Sequence, residues 1–65
     1  MNKWISRETF NVEVKDAFRR YLRNNNIYYE LSDCFDGWHF EIKIENADDL
    51  EHVEWFEMRI NEYIV

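Results

Sequence analysis

Apolar and polar residues alternate in the middle of the chain, and this pattern predicts a β-hairpin over residues 27–44. We place its turn at Asp36-Gly37, because a two-residue type I′ turn needs residues that tolerate positive φ. A turn at these residues predicts five cross-strand pairs, namely Phe35–Trp38, Asp33–Phe40, Leu31–Ile42, Tyr29–Ile44 and Glu30–Lys43. Residues directly opposite one another share a face of the sheet. The hairpin therefore has one polar face and one apolar face, which only Asp33 interrupts.

The C-terminal third of the chain has the period of an amphipathic helix, which is predicted over residues 47–63. Asn46 is a favourable N-cap residue, and Asp48 and Asp49 follow in the first turn, where carboxylates interact well with the helix dipole. At about 100° per residue, the apolar side chains fall on one side of this helix. They are Leu50, Val53, Phe56, Ile60 and Ile64, with Tyr63 beside them.

The N-terminal part of the chain allows two interpretations. Residues 9–14 alternate between apolar and polar and include β-branched side chains, which predicts a half-buried strand. A helix then follows and ends at Asn24–Asn26, where asparagine tolerates a left-handed C-cap. Its apolar stripe consists of Ala17, Phe18, Tyr21 and Leu22. Alternatively, the helix begins at Ser6 and includes residues 8–14. We favour the strand, because a helix from Ser6 leaves Val12 exposed and the alternation unexplained.

The predicted order of elements is strand, helix, strand, strand, helix, in a single domain over residues 1–65. This order predicts an α+β fold, a two-layer sandwich in which both helices cover one face of a three-stranded sheet. In such a sheet the first strand lies beside the third, and the second sheet face is open and polar. The arrangement is ferredoxin-like but lacks the last strand.

Composition narrows the class of protein. The chain contains twelve aromatic residues among 65, so it can bury enough apolar surface to fold, which argues against disorder. Its one cysteine, Cys34, has no intramolecular disulfide partner and is typical of a reducing compartment. The N-terminal part contains no apolar run of the length that a signal peptide or a membrane span requires. We therefore expect a soluble, cytoplasmic protein.

The formal net charge of −6 is distributed unevenly. Residues 1–26 carry +3, residues 27–44 carry −3 and residues 45–65 carry −6. The outward side of the last helix combines carboxylates with Trp55 and Met58, and large apolar groups on a solvated face are typical of contact sites. The predicted partner-binding residues are Asp48, Glu51, Glu54, Trp55, Met58 and Glu62 on this helix and Glu30 and Glu41 on the hairpin. In an alternative that stays open, Trp55 instead covers part of the core.

A basic stripe on the first helix has the form of a phosphate-binding surface. It consists of Lys15, Arg19 and Arg23, with Arg20 alongside. The acidic molecule as a whole would repel nucleic acid. We therefore expect the stripe to face solvent or acidic groups of the same fold.

Catalytic chemistry has little support in the sequence. In the predicted register Cys34 and His39 lie opposite each other, but a nucleophilic pair also needs an orienting group and an oxyanion pocket. Zinc needs about four ligands, and only His52 and scattered carboxylates could join these two. With one glycine, the chain lacks the Gly-rich loops that hold phosphates. We expect no enzyme, cofactor or metal, and whether Cys34 and His39 have a role stays open.

Small size, acidity, the lack of a catalytic motif and a composition rich in Asn, Ile and Glu resemble those of small phage-encoded inhibitors, including anti-CRISPR and other nucleic-acid-mimic proteins. The resemblance covers the whole chain and rests on size and composition, and the basic stripe departs from it. It implies an inhibitor that occupies the basic surface of a nucleic-acid-binding host protein or complex with its acidic helix and hairpin face. The alternative is a small regulatory interaction module, a homodimer whose basic and acidic surfaces pair. Both predict a protein partner, and neither predicts binding to nucleic acid or to a membrane.

Overall fold

Five elements follow one another in the computed structural model, which describes residues 2–60. They are β1 (Lys3–Thr9), α1 (Val12–Asn24), β2 (Tyr29–Cys34), β3 (Gly37–Ile44) and α2 (Ala47–Met58). β3 is the central strand of a sheet in the order β1-β3-β2, and it pairs antiparallel with both neighbours. The predicted α+β fold is therefore confirmed. Within the described residues it has the arrangement of a ferredoxin-like sheet without the last strand.

Both helices pack against one face of this sheet. In the described part of the chain the buried apolar residues are Ala17, Phe18, Leu22, Ile27, Phe40, Ile42, Ile44, Val53 and Phe56. Phe18 joins the layers, because its ring centroid lies 4.8 Å from those of both Phe40 and Phe56. The helices and β3 thus share one apolar layer, as the two-layer sandwich requires.

The N-terminal strand differs from both sequence interpretations. β1 ends at Thr9 and α1 begins at Val12, so the strand predicted over residues 9–14 is wrong, and no helix begins at Ser6. Asn11 decides the boundary, because its side-chain oxygen accepts hydrogen bonds from the backbone N–H groups of Glu13 at 2.8 Å and Val14 at 3.1 Å. Such an N-cap satisfies donors that a helix end leaves without partners. β1 itself has few apolar side chains, so alternation does not reveal it.

The predicted end of the first helix at three asparagines is confirmed. Asn25 is the C-cap of α1, and Asn26 has a φ of 57°, the only positive value among residues 2–60. The backbone N–H of Ile27 then donates to the carbonyl of Leu22 at 2.9 Å. This bond closes the helix end and brings Ile27 into the core.

The hairpin register is shifted by two residues from the predicted one. Cys34 pairs with Gly37, so the loop consists of the two residues between them, and Leu31 lies opposite Phe40 rather than Ile42. A shift of two keeps the side chains of β2 and β3 on their predicted faces. Phe35, predicted on the apolar face, instead lies in the loop and is fully exposed. The opposing pairs change, and four further predicted pairs do not form, namely Phe35–Trp38, Asp33–Phe40, Tyr29–Ile44 and Glu30–Lys43.

Gly37 serves the packing of β1 and not a type I′ turn. Neither Asp36 nor Gly37 has a positive φ, so the predicted turn type is wrong. A Cβ added at Gly37 would lie 2.5 Å from the carbonyl oxygen of Thr9 and 2.6 Å from Cδ1 of Phe10. The absence of a side chain therefore lets the end of β1 approach the hairpin this closely.

α2 begins where the sequence predicts. The side chain of Asn46 accepts a hydrogen bond from the backbone N–H of Asp49 at 3.0 Å, which confirms the N-cap. α2 ends at Met58 with Arg59 as its C-cap. The rest of the predicted helix and of its apolar stripe, residues 61–64, lies outside the described residues. Within residues 2–60, no helix is both long and apolar enough to cross a membrane.

Candidate interaction site

The outer side of α2 carries acidic and large apolar side chains together. We call this set the acidic α2 face, and it consists of Asp48, Glu51, Glu54, Trp55 and Met58, all of them exposed. Trp55 is 48% exposed and Met58 is 79% exposed. The helix buries Val53 and Phe56 on its other side. The core therefore fixes the direction in which the acidic α2 face points.

α1 contributes a residue to this site that the sequence did not predict. Tyr21 lines an open depression of about 400 Å³ together with residues of α2, namely Asp48, Glu51, His52 and Trp55. The ring of Tyr21 lies 5.1 Å from that of the buried Phe56 and 6.4 Å from that of His52, measured between centroids. The sequence places Tyr21 in the apolar stripe of the first helix. This position indicates that Tyr21 packs against another element, and in the structure that element is α2.

The indole of Trp55 has a fixed neighbour. The guanidinium carbon of Arg59 lies 3.8 Å from the Trp55 ring centroid, which is a cation–π contact. The two residues are four apart, so one turn of helix brings them together. Trp55 is therefore held on one side by Arg59 and keeps about half of its surface exposed.

The imidazole of His52 is also fixed locally. His52 Nδ1 lies 2.7 Å from the carbonyl oxygen of Asp48, which can only accept. Nδ1 therefore carries the hydrogen, and Nε2 of the neutral ring is an acceptor. The ring lines the depression beside Trp55 without using the Asp48 carboxylate.

The carboxylates of the acidic α2 face are not neutralised by the fold. Within residues 2–60, Asp48, Glu51 and Glu54 form no ion pair. Glu57, on the same helix, is instead paired with Arg7 of β1 at 2.7 Å. α2 is thus tied to the sheet by Glu57, whereas the three carboxylates of the acidic α2 face have no cationic partner in the described part of the chain.

Two predicted site residues lie elsewhere. Glu30 and Glu41 oppose each other on the sheet face that the helices leave open, so the structure separates them from the acidic α2 face. We call this surface the open sheet face, and it consists of Trp4, Ser6, Glu8, Tyr28, Glu30, Ser32, His39, Glu41 and Lys43. The last predicted residue, Glu62, lies outside the described residues.

The carboxylates of the open sheet face all have partners. His39 bridges two of them, with Nε2 2.7 Å from Glu41 and Nδ1 3.3 Å from Glu8. Ser6 Oγ donates to Glu41 at 2.9 Å. The Tyr28 hydroxyl donates to Glu30 at 3.2 Å. The carboxylates of this face are therefore held by hydrogen bonds, Glu8 and Glu41 in a network around His39 and Glu30 in a separate pair with Tyr28.

These contacts shift three pKa values. The hydrogen bond to Glu41, and then that to Glu8, raise the pKa of His39 above its ordinary value. The same bond from His39, and then that from Ser6, lower the pKa of Glu41. The hydrogen bond to Glu30 raises the pKa of the Tyr28 hydroxyl. The shifts of His39 and Glu41 show that each stabilises the charged form of the other, and the shift of Tyr28 shows that its hydrogen bond to Glu30 stabilises the protonated hydroxyl.

The predicted opposition of Cys34 and His39 is wrong, because His39 lies opposite Ser32 and Cys34 lies opposite Gly37. The two-residue register shift separates them. His39 is instead engaged by two glutamates, as described above. In residues 2–60 no three His, Cys, Asp or Glu side chains are grouped so that they could hold a metal ion.

The basic stripe of α1 is divided in two. Lys15 lies over the Trp38 ring, 4.7 Å from its centroid, and Arg19 lies 3.4 Å from the Tyr29 hydroxyl oxygen. These contacts with aromatic side chains were not predicted, but both cations also pair with an acidic group of the fold, Asp16, at 3.4 and 3.9 Å. Arg20 and Arg23 are exposed and form no ion pair within the described residues.

Comparison of the chain with protein-family models, with curated proteins and with solved structures gave no match in any of the three. Its own residues define a small α+β protein with one helix face that is acidic, partly apolar and, within residues 2–60, without paired charge.

Proposed function

We propose that this protein binds the basic surface of a nucleic-acid-binding protein or complex through the acidic α2 face and blocks that surface. The observation that carries the proposal is the combination of three exposed carboxylates, which have no cationic partner within residues 2–60, with the exposed Trp55 and Met58. A helix that only had to be soluble would not need large apolar groups among its charges. A partner with cations around an apolar site would match both features.

The spacing of the carboxylates supports binding to a surface that normally binds nucleic acid. Asp48, Glu51 and Glu54 follow one another at three-residue steps, and such side chains lie roughly 5–6 Å apart on a helix. Nucleic acid also presents negative charges at regular intervals along its backbone. A row of lysines or arginines that binds phosphates can therefore accept this helix in their place.

The apolar residues supply the part of the binding energy that charges do not. Tryptophan is frequent among the residues that dominate binding at interfaces, whereas charge pairs mainly speed association and set specificity. Arg59 already holds the Trp55 indole on one side, so less side-chain freedom is lost when a partner covers the ring. Met58 extends the contact with a flexible side chain that adapts to its partner.

A capture experiment tests the proposal. The protein is immobilised and exposed to nuclease-treated lysate, and bound proteins are challenged with a short duplex DNA or RNA. The test variant is Glu51→Lys with Glu54→Lys. The matched control is Glu13→Lys with Asp36→Lys, which changes the net charge equally at exposed positions that lie off α2. Circular dichroism verifies that both variants are folded.

We expect the wild-type protein and the control to retain a partner that nucleic acid displaces and that elutes at moderate salt. The Glu51→Lys, Glu54→Lys variant should lose at least about tenfold in affinity, because two favourable charge contacts become repulsive. Capture that survives this variant contradicts the proposal. So does a captured protein that binds nucleic acid and this chain at the same time.

A further inference from the structure

Two basic residues of α1, Arg20 and Arg23, form no ion pair within residues 2–60. Arg20 lines a second depression on the helices, of about 180 Å³, together with Ala17, Tyr21 and Asn24. Arg23 follows Arg20 by three residues and is also exposed. Lys15 and Arg19, in contrast, are engaged with β2 and β3.

Tyr21 borders both depressions. On one side of it lies the acidic depression of α2, and on the other side lies the depression with Arg20. Within residues 2–60, the outer surface of the helix layer therefore has the unpaired carboxylates of α2 on one side of Tyr21 and the unpaired Arg20 and Arg23 of α1 on the other, while Asp16 of α1 is paired with Lys15 and Arg19. Neither set is neutralised internally, because none of Arg20, Arg23, Asp48 and Glu51 forms an ion pair within residues 2–60.

A surface of this kind is complementary to itself. A twofold axis that runs parallel to the two helices, in the plane of contact, places α1 of each copy over α2 of the other. The partner's Arg20 and the partner's Arg23 then lie against Asp48 and Glu51, and the same contacts form a second time by symmetry. We propose that the outer helix surface binds a second copy of this chain in this arrangement.

The size and chemistry of the surface fit such a dimer. The molecule measures 31 × 26 × 16 Å, so its broad faces can supply the roughly 800 Å² per partner that a specific interface buries. Tyr21 and Trp55 lie near the middle of the contact and supply its apolar part, while the charged residues surround them. Small domains with a limited core also gain stability from association.

The dimer does not rest on the proposed function, but it uses the same residues. Asp48, Glu51 and Trp55 belong to both contacts. A second copy of this chain and a basic target protein therefore cannot bind at the same time. In the dimer, Arg20 of the second copy occupies the place that a cation of the target would take. Self-association would keep the acidic α2 face covered until a tighter-binding target displaces it.

Sedimentation equilibrium of the full chain tests the dimer, at about 10 to 500 µM protein and about 50 mM salt. We expect a monomer–dimer equilibrium. The Arg20→Glu, Arg23→Glu variant and the Asp48→Lys, Glu51→Lys variant should each reduce the association constant at least about tenfold, because like charges then face each other. These variants change the net charge in opposite directions, so a common loss is not an effect of total charge.

An equimolar mixture of the two variants is the decisive measurement. Each copy then offers the charge that the other needs, so the heterodimer should form about as tightly as the wild-type dimer. A mixture that stays monomeric, with both variants folded by circular dichroism, overturns the proposal. A wild-type chain that is monomeric throughout the concentration range also overturns it.

The outcome is separable from that of the capture experiment. The Arg20→Glu, Arg23→Glu variant leaves the acidic α2 face intact, so it should capture a basic partner as well as the wild type does or better. Loss of the dimer with retained capture is the result that supports both proposals. If the wild type captures a basic partner but forms no dimer, the dimer proposal is wrong and the proposed function is still supported.

Discussion

The acidic α2 face and the open sheet face carry similar groups in different states. Each has three carboxylates, namely Asp48, Glu51 and Glu54 on α2 and Glu8, Glu30 and Glu41 on the sheet. Each also exposes aromatic surface, with Trp55 on α2 and the edge-to-face pair of Trp4 and Tyr28 on the sheet. Every sheet-face carboxylate has a hydrogen-bond partner, whereas those of the α2 face have none in residues 2–60. The two faces therefore differ in the pairing of their charges and not in the number of carboxylates.

The difference has a local cause. Antiparallel pairing brings side chains of three strands side by side, so His39 lies directly opposite Glu8 and can reach Glu41 along its own strand. Within residues 2–60, the carboxylates on the outer side of α2 have no such cationic neighbour, because the last turn contains no basic residue and Arg59 is stacked on Trp55. An isolated helix face therefore keeps its charges available.

The largest effect is expected at Gly37, where the sheet itself can be disrupted. In the Gly37→Ala variant the new Cβ would lie 2.5 Å from the Thr9 carbonyl oxygen, and backbone cannot move aside as easily as a side chain. We expect a loss of about 2–3 kcal/mol in the free energy of unfolding, as for overpacked core positions. The end of β1 would move away, and Glu8 would lose its contact with His39. Urea unfolding followed by tryptophan fluorescence measures the loss.

Phe35→Ala is the matched control for this variant. Phe35 lies in the same hairpin loop and is fully exposed, so its removal should change the free energy of unfolding by less than about 0.5 kcal/mol. Equal stability of the Gly37→Ala variant and the wild type would show that the close approach of β1 is unimportant.

Neutralising one carboxylate on each face should have opposite effects. Glu51→Gln removes a charge that has like charges three residues away on both sides, Asp48 and Glu54, so we expect a gain of about 0.5 kcal/mol in the free energy of unfolding. Glu41→Gln removes the charge that His39 hydrogen-bonds, so the urea midpoint should fall. Urea titrations of both variants at neutral pH provide the comparison. A lower urea midpoint in both variants would mean that the α2 carboxylates have stabilising partners.

The sequence predicts α2 and the faces of the hairpin well, because the N-cap residue of α2 and the spacing of the buried apolar residues are local features of the sequence. The helix period places Val53 and Phe56 in the core, and the alternation of β3 does the same for Phe40. The register was not accessible, because a shift of two residues leaves the pattern of faces unchanged. β1 was missed because its sequence includes only Trp4 and Ile5 as apolar residues, which is too little for an alternating pattern.

The candidate site could be predicted in part. Helical projection correctly places Trp55 and Met58 among exposed carboxylates. It does not reveal Tyr21, which reaches the site through the packing of two helices, nor the pairing of Glu57 with Arg7, which lies 50 residues away in the chain. Which charges are neutralised is a property of the tertiary structure. For this reason the sequence also grouped Glu30 and Glu41 with α2, although they lie on the opposite side of the sheet.

Salt should act on the two faces in opposite directions. Repulsion on the α2 face is screened by added salt, so we expect the melting temperature of the wild type to rise between about 10 mM and 500 mM NaCl. The rise should be smaller in Glu51→Gln, where part of the repulsion is absent. It should be larger in Glu41→Gln, which lacks an attraction that salt weakens. A melting temperature that is independent of salt in all three proteins would contradict this account.

The smallest effect is expected from pH, and it concerns the open sheet face alone. The raised pKa of His39 means that the folded state favours its protonated form, so its contribution is complete below the ordinary value of 6.5 and is lost as pH rises through the raised pKa. The lowered pKa of Glu41 has the opposite consequence, with a contribution present above the ordinary value of 4.5 and lost as pH falls through the lowered pKa. The pair therefore stabilises the fold most between these two values. We expect wild-type urea midpoints to exceed those of His39→Gln by more at about pH 5.5 than at about pH 8. A difference of equal size at both values would show that His39 acts as a neutral hydrogen-bond donor and not as a charge held between two carboxylates.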